Sequence, residues 1–172
     1  MTIKILGAAC VILGSCAWGA LGVIKLRRRA SGLAAVTRSL GALRAELCTR
    51  LTPMPEITRR LAQDSDEPVK SFWRNLAAKM PELGDARFSD LWEQTAASTR
   101  ELPFLPDEAA VFIEAGRVIG RYDIEEQRAA LIFAEERFRE FTERAEQRRD
   151  KDSKTRAALG VSAGIFITLV LL

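Results

Sequence analysis

Residues 5–24 read ILGAACVILGSCAWGALGVI and are followed at once by KLRRR at 25–29. A helix rises about 1.5 Å per residue, so roughly 20 apolar residues match a hydrocarbon core about 30 Å thick. A charge in that core costs about 2.5–3.5 kcal/mol, which ends the span where Lys25, Arg27, Arg28 and Arg29 begin. The stretch is expected to be a membrane anchor with its basic flank on the C-terminal side. The rest of the chain is then a body tethered to a bilayer.

Three other readings of the stretch remain open, a buried core helix being the least favoured. A cleaved secretory signal would carry its positive charge first and a shorter apolar core, whereas here only Lys4 and the amino terminus precede the span. Leu13-Gly14-Ser15-Cys16 looks like the box before a lipid-modified cysteine, yet apolar residues continue past Cys16 to Ile24. A second apolar stretch, Leu159 to Leu172, comes after Lys151, Lys154 and Arg156. Counted from Ala157 it is short for a full span, about 24 Å of helix. Both basic flanks face residues 30–156, so the positive-inside rule places that middle segment in the cytoplasm and both termini outside. The expected organisation is an N-terminal anchor over 1–29, a helical domain over 30–156 and a C-terminal anchor over 157–172.

The formal charge of +3 is a topology signal, because residues 30–156 hold 21 Lys and Arg against 23 Asp and Glu, a net of −2. A nucleic-acid footprint would need a basic face on the domain itself, so no nucleic-acid partner is expected. There is no histidine, which removes the commonest general base and metal ligand. Cys10 and Cys16 fall in the first apolar stretch, leaving Cys48 as a small apolar residue of the domain, with no zinc spacing or disulfide framework. Gly116 and Gly120 are not followed by a GK[ST] sequence, so no phosphate loop is present. The chain reads as a non-enzyme without metal or cofactor.

Along the domain, Leu33, Val36, Leu40, Leu43, Leu47 and Leu51 recur at spacings of three and four, one apolar stripe on a helix. Ser31-Gly32 is its one weak point, where a kink is expected. Thr52-Pro53-Met54-Pro55 ends the helix, and Pro55 suits the first turn of a short helix over Glu56 to Ala62. Asp64 to Pro68 has cap chemistry for a third helix, Val69 to Met80. Leu83 to Phe88 reads as a loop, with Ser89 capping Asp90 to Thr99. Asp107 is expected to cap Glu108 to Ile119, where Gly116 and Gly120 either mark a close helix approach or, for Gly120, a C-terminal stop. Asp123 is expected to cap a last helix carrying Ile124, Leu131, Ala134, Phe138, Phe141 and Ala145 inward, with Gln127 in a polar slot of the stripe. Glu135–Arg139 and Glu140–Arg144 would pair at i, i+4. No proline occurs from Ile124 onward, so this helix is expected to continue into the second anchor. The fold class is all-α: a bundle of about six helices between two transmembrane helices. Trp73, Trp92 and Phe104 are expected in its core rather than on a binding surface.

The chain resembles the stage III sporulation protein AB family over nearly all its length. Asp107, Gly116, Gly120, Asp123 and Gln127 carry the family's pattern of two glycines four apart, then Asp, then Gln. Leu40, Leu43, Glu46 and Thr52-Pro53-Met54-Pro55-Glu56 carry its earlier segment, a Leu-rich helix ending at Pro53 and Pro55. Arg121-Tyr122 departs from it, standing where a small residue often precedes the Asp. The family is similar to cytoplasmic domains of type II secretion and type IV pilus platform proteins. The resemblance therefore implies a platform subunit of a sporulation channel between mother cell and forespore. Its implied partners are a cytoplasmic secretion-type ATPase resembling stage III sporulation protein AA, other membrane subunits and the bilayer. Ser15 and Gly19 in the first anchor, and Gly160 and Gly164 in the second, are small-residue pairs that permit close helix packing in lipid. A membrane-tethered or lipid-modified adaptor with its helical domain outside the cell remains the alternative.

Overall fold

The computed structural model describes the backbone of residues 2–120 and 123–171 and the side chains of 22–120 and 123–152. Six α-helices are present among the described residues, with no strand: α1 (Thr2–Arg44), α2 (Met54–Asp64), α3 (Val69–Lys79), α4 (Phe88–Ser98), α5 (Pro106–Val118) and α6 (Ile124–Leu171). A π-helical turn, Ala45–Thr49, succeeds α1, and a 3-10 turn, Met80–Glu82, succeeds α3. The chain divides into two compact units, Met1–Ala30 with Glu143–Leu172, and Ser31–Thr142. Among the described residues no helix is long and apolar enough to cross a membrane. Most of both expected anchors, including Ser15, Cys16, Gly19, Gly160 and Gly164, lies outside the described side chains, and only 22–29 of the first are seen.

The core of the second unit is the amphipathic pattern closed on itself. Leu33, Val36, Leu40 and Leu43 of α1 are fully buried, as are Ile57, Phe72, Trp73, Leu76, Trp92, Phe112, Leu131 and Phe138. Its centre is aromatic. Phe72, Trp73, Trp92 and Phe112 stand 4.8–5.5 Å apart, four of the five contacts edge to face, the geometry favoured by ring quadrupoles. Phe104 joins it against Phe112 and Phe138, at 5.1 and 5.4 Å. Among the described residues two buried side-chain nitrogens lack a hydrogen-bond acceptor, the Trp73 indole N–H and the Nε of Arg128, an omission that costs about 1–3 kcal/mol each. α1 runs through Ser31-Gly32 as helix. Gly32 is needed there for space, since a Cβ would lie 3.0 Å from Pro103 and 3.2 Å from Pro68.

Several expected boundaries move. Phe88 is buried and belongs to α4, so Ser89 sits inside the first turn and bonds Asp90 instead of capping. α5 starts at Pro106, which needs no N–H partner at a first-turn position. Asp107 is therefore exposed inside the helix and does not cap it. The buried Glu108 carboxylate takes that role, accepting the Leu105 N–H at 2.7 Å. Glu67 accepts the N–H of Ser71 at 3.2 Å at the start of α3, in keeping with the cap chemistry of its segment. Glu135 does not turn along α6 toward Arg139; it pairs with Arg44 of α1.

The largest correction lies at the end of α1. The stripe places Leu47 and Leu51 inward, but Leu47 is half-buried and Leu51 is 65% exposed. The π turn adds a residue to the helical repeat, so Cys48 and Glu46 are carried inward in their place. The chain then leaves through Leu51 at φ 53, the left-handed conformation that usually closes a helix on glycine.

Candidate functional site

Apart from exposed Asp107, the described residues of the sequence pattern lie where α1, α2, α5 and α6 end or begin, and they take structural partners there. Asp123 caps α6 as expected, its Oδ1 accepting the N–H groups of Glu125 and Glu126 at 2.8 and 3.2 Å. Gly120, at φ +86, is the stop beyond α5. Its N–H donates to the buried Gln127 Oε1 at 3.3 Å. Gly116 serves the other expected purpose, close approach. A Cβ on it would fall inside the indole of Trp92, and that indole donates to the Phe112 carbonyl at 2.9 Å, one turn back on the same helix. Pro53 stands just before α2, its carbonyl accepting from Glu56 and Ile57 at 3.0 and 3.1 Å. Pro55 lies in the first turn, where its carbonyl accepts the Thr58 hydroxyl at 3.2 Å.

Glu46 is the hub between α1 and α2. Its carboxylate accepts from the Thr52 hydroxyl at 2.8 Å, from Arg50 at 2.5 Å and from Arg60 at 3.4 Å. Its carbonyl accepts the Thr52 N–H at 3.0 Å. The Thr52 hydroxyl, then the two arginines, hold the Glu46 carboxyl below the ordinary glutamate range against the opposing pull of burial. On the α6 side, Arg44 bonds Glu135 at 2.5 and 3.3 Å, which raises the guanidinium pKa further. Arg128 donates to the Cys48 carbonyl at 3.1 Å, while its Nε faces Glu125 at 3.7 Å. Burial pushes the Cys48 thiol up, against the pull of Arg128 and Arg44. A thiol in that position is a packing residue, not a nucleophile.

Among the described residues no three Cys, Asp or Glu side chains are placed to hold a metal ion. The charges just described are paired with one another, so the arrangement fixes helix ends. Of the topology residues, Lys25, Arg27, Arg28 and Lys151 are exposed and Arg29 is half-buried; the side chains of Lys154 and Arg156 lie outside the described set. Sequence reasoning missed Arg44, Glu108 and Arg128 as structural partners and gave Glu135 a partner on its own helix in place of Arg44. Only Glu108, three residues past Leu105 at a helix start, had a local signal, that of a capping-box acid.

The profile of the family described as stage III sporulation protein AB matches residues 4–172. The chain belongs to that family. A solved structure titled "Stage III sporulation protein AB (SpoIIIAB)" superposes with a TM-score of 0.66 at 20% identity, covering 71% of this chain and 96% of that one. At that identity it shows the likeness of fold. No curated protein matches the chain. The family membership carries a role related to sporulation.

Proposed function

We propose that this member of the stage III sporulation protein AB family is a non-enzymatic platform subunit of an export-like channel assembly between mother cell and forespore. Residues 5–24 and 157–172 anchor it in the membrane on the mother-cell side, in the outer forespore membrane. The bundle between them lies in the cytoplasm, against a secretion-type ATPase resembling stage III sporulation protein AA. The observation that carries this reading is the family match over residues 4–172, which takes in both apolar ends together with the bundle. The charge pattern supports the topology, with Lys25 to Arg29 and Lys151 to Arg156 at the bundle-facing ends of the two stretches. An electrostatic scaffold whose ion pairs fix helix ends suits an adaptor that transmits contacts.

The direct test is capture of residues 30–156 by the purified ATPase. Saturable binding supports the reading, and absence of binding at high concentration removes the ATPase from it. The Leu13-Gly14-Ser15-Cys16 box favours the second reading, an acylated adaptor outside the cell. Alkaline phosphatase and green fluorescent protein fusions at position 100 separate the two. Fluorescence without phosphatase activity fits a cytoplasmic bundle, and strong phosphatase activity fits the adaptor.

A further inference from the structure

Charge is divided unevenly between the two compact units. Met1–Ala30 with Glu143–Leu172 holds 11 Lys and Arg against 4 Asp and Glu, a net of +7, whereas Ser31–Thr142 holds 15 against 19, a net of −4. Ten of the 11 positives fall in two runs, 25–29 and 144–156, each abutting one of the apolar stretches. The first unit gathers both runs into one body. Lys25, Arg27, Arg28, Arg148 and Lys151 are exposed there, and Arg29 and Arg149 are half-buried. Arg149 is held by Asp150 at 2.8 Å. Lys25, Arg27 and Arg148 have no ion pair among the described residues.

A bias of Lys and Arg is enough to orient a chain, whether or not the side chains find partners later. Here three exposed cations keep no carboxylate of their own, while the surplus acids of the chain lie in the other unit. Each run begins where an apolar stretch ends, which is the depth at which a bilayer presents its headgroups. A negative membrane surface attracts such runs over about a Debye length. Arginine, the commoner cation in both runs, adds a planar fork that matches two phosphate oxygens at once. A zwitterionic headgroup offers the same phosphate already neutralised by its own ammonium. We propose that the two runs together form a clamp for anionic phospholipid headgroups, with Lys25, Arg27 and Arg28 of α1 and Arg148 and Lys151 of α6 engaging their phosphates. The clamp rests on the membrane reading above and adds a choice of lipid to it. The second unit, of opposite net charge, gains nothing from the same surface, so the preference belongs to the two runs.

The test reconstitutes the full chain in phosphatidylcholine vesicles that carry a trace of spin-labelled phosphatidylglycerol or spin-labelled phosphatidylcholine. Electron spin resonance then reads the fraction of each label that the protein immobilises. Phosphatidylglycerol should be preferred by about threefold or more, and the preference should collapse in 1 M salt, where the Debye length is about 3 Å. Replacing the three unpaired cations together (Lys25→Gln, Arg27→Gln, Arg148→Gln) strands no carboxylate and should remove most of the preference. Asp152→Asn should increase it. Arg59→Gln, Arg87→Gln and Arg100→Gln together take the same charge from exposed positions of the second unit and should leave it unchanged. Circular dichroism confirms equal helix content in every variant. Equal immobilisation of the two labels, or a preference that the triple substitution at 25, 27 and 148 does not lower, would overturn the clamp while leaving the anchors in place. No immobilised component with either label would overturn the membrane reading itself, and the clamp with it.

Discussion

Replacing Gly116 by alanine tests the packing between α4 and α5 at its tightest point. On helix propensity alone the change would stabilise α5 by about 0.8–1.0 kcal/mol. The structure opposes this, because the new methyl group would occupy the space of the Trp92 indole. Trp92 has nowhere to go: it is fully buried against Phe72, Trp73, Phe88 and Phe112. Forcing a methyl into such a core costs about 1–3 kcal/mol. Moving the ring also stretches its hydrogen bond to the Phe112 carbonyl, worth about 0.5–1.5 kcal/mol. Gly116→Ala should therefore be less stable by about 1–3 kcal/mol, read from urea unfolding of residues 30–156 by tryptophan fluorescence. Gly41→Ala is the matched control, since its Cβ would meet Glu135 at an ordinary 3.5 Å. It should gain up to about 1 kcal/mol. If Gly116→Ala proved as stable as wild type, the packing of Trp92 on α5 would be refuted.

Leu51→Gly should raise stability by about 0.5–1 kcal/mol in thermal unfolding, because glycine takes the left-handed cap position without Cβ strain; loss of stability would show that Leu51 packs on its own bundle. Asp123→Ala should cost about 1 kcal/mol by removing the α6 cap, with Asp123→Asn retaining most of it. Glu46 has a depressed pKa in the folded protein, so its contribution is present above the ordinary glutamate value of about 4.3 and fades as pH falls through the folded value. Glu46→Gln should therefore flatten the stability profile below about pH 4.3, seen in acid titrations by circular dichroism. Cys48 is buried with a raised pKa; with Cys10 and Cys16 changed to serine, iodoacetamide should label it slowly in the native protein and rapidly in denaturant.

Helical periodicity made most of this bundle legible, because burial here obeys the 3.6-residue repeat. Leu33 to Leu43, the aromatic face of α3 and the Leu131–Phe138–Phe141 stripe all lie where the spacing puts them. The Asp123 cap and the Gly120 stop were legible for a different reason: each uses local chemistry within a few residues. What failed was whatever depends on distant residues. The π turn persists because Glu46 finds Thr52 and Arg60, and Arg128 finds the Cys48 carbonyl 80 residues away in sequence. Glu135 chooses Arg44, 91 residues distant, over a neighbour on its own helix. No local rule weighs those partners. Ser89 and Asp107 failed more simply, since a cap-forming side chain does not reveal that Phe88 or Pro106 already begins its helix.

The motif residues of the candidate site bear on how function should be sought. Gly116 makes room for Trp92, Gly120 turns the chain and is held by Gln127, and Asp123 starts α6. Glu46 and the Pro53–Pro55 turn fix the angle at which α2 leaves α1. These positions specify the joints of the bundle, and several are buried, so a substitution at them acts first through folding. Loss of sporulation in a Gly116 or Gln127 variant would accordingly say nothing of partner contact until its stability was known. The reverse holds for Leu51, Phe133, Arg59 and Glu136, which are exposed and whose removal leaves the core untouched. A phenotype there, with unchanged unfolding, can come only from a surface that another molecule touches. Assembly is therefore to be mapped on the residues that the family pattern leaves out.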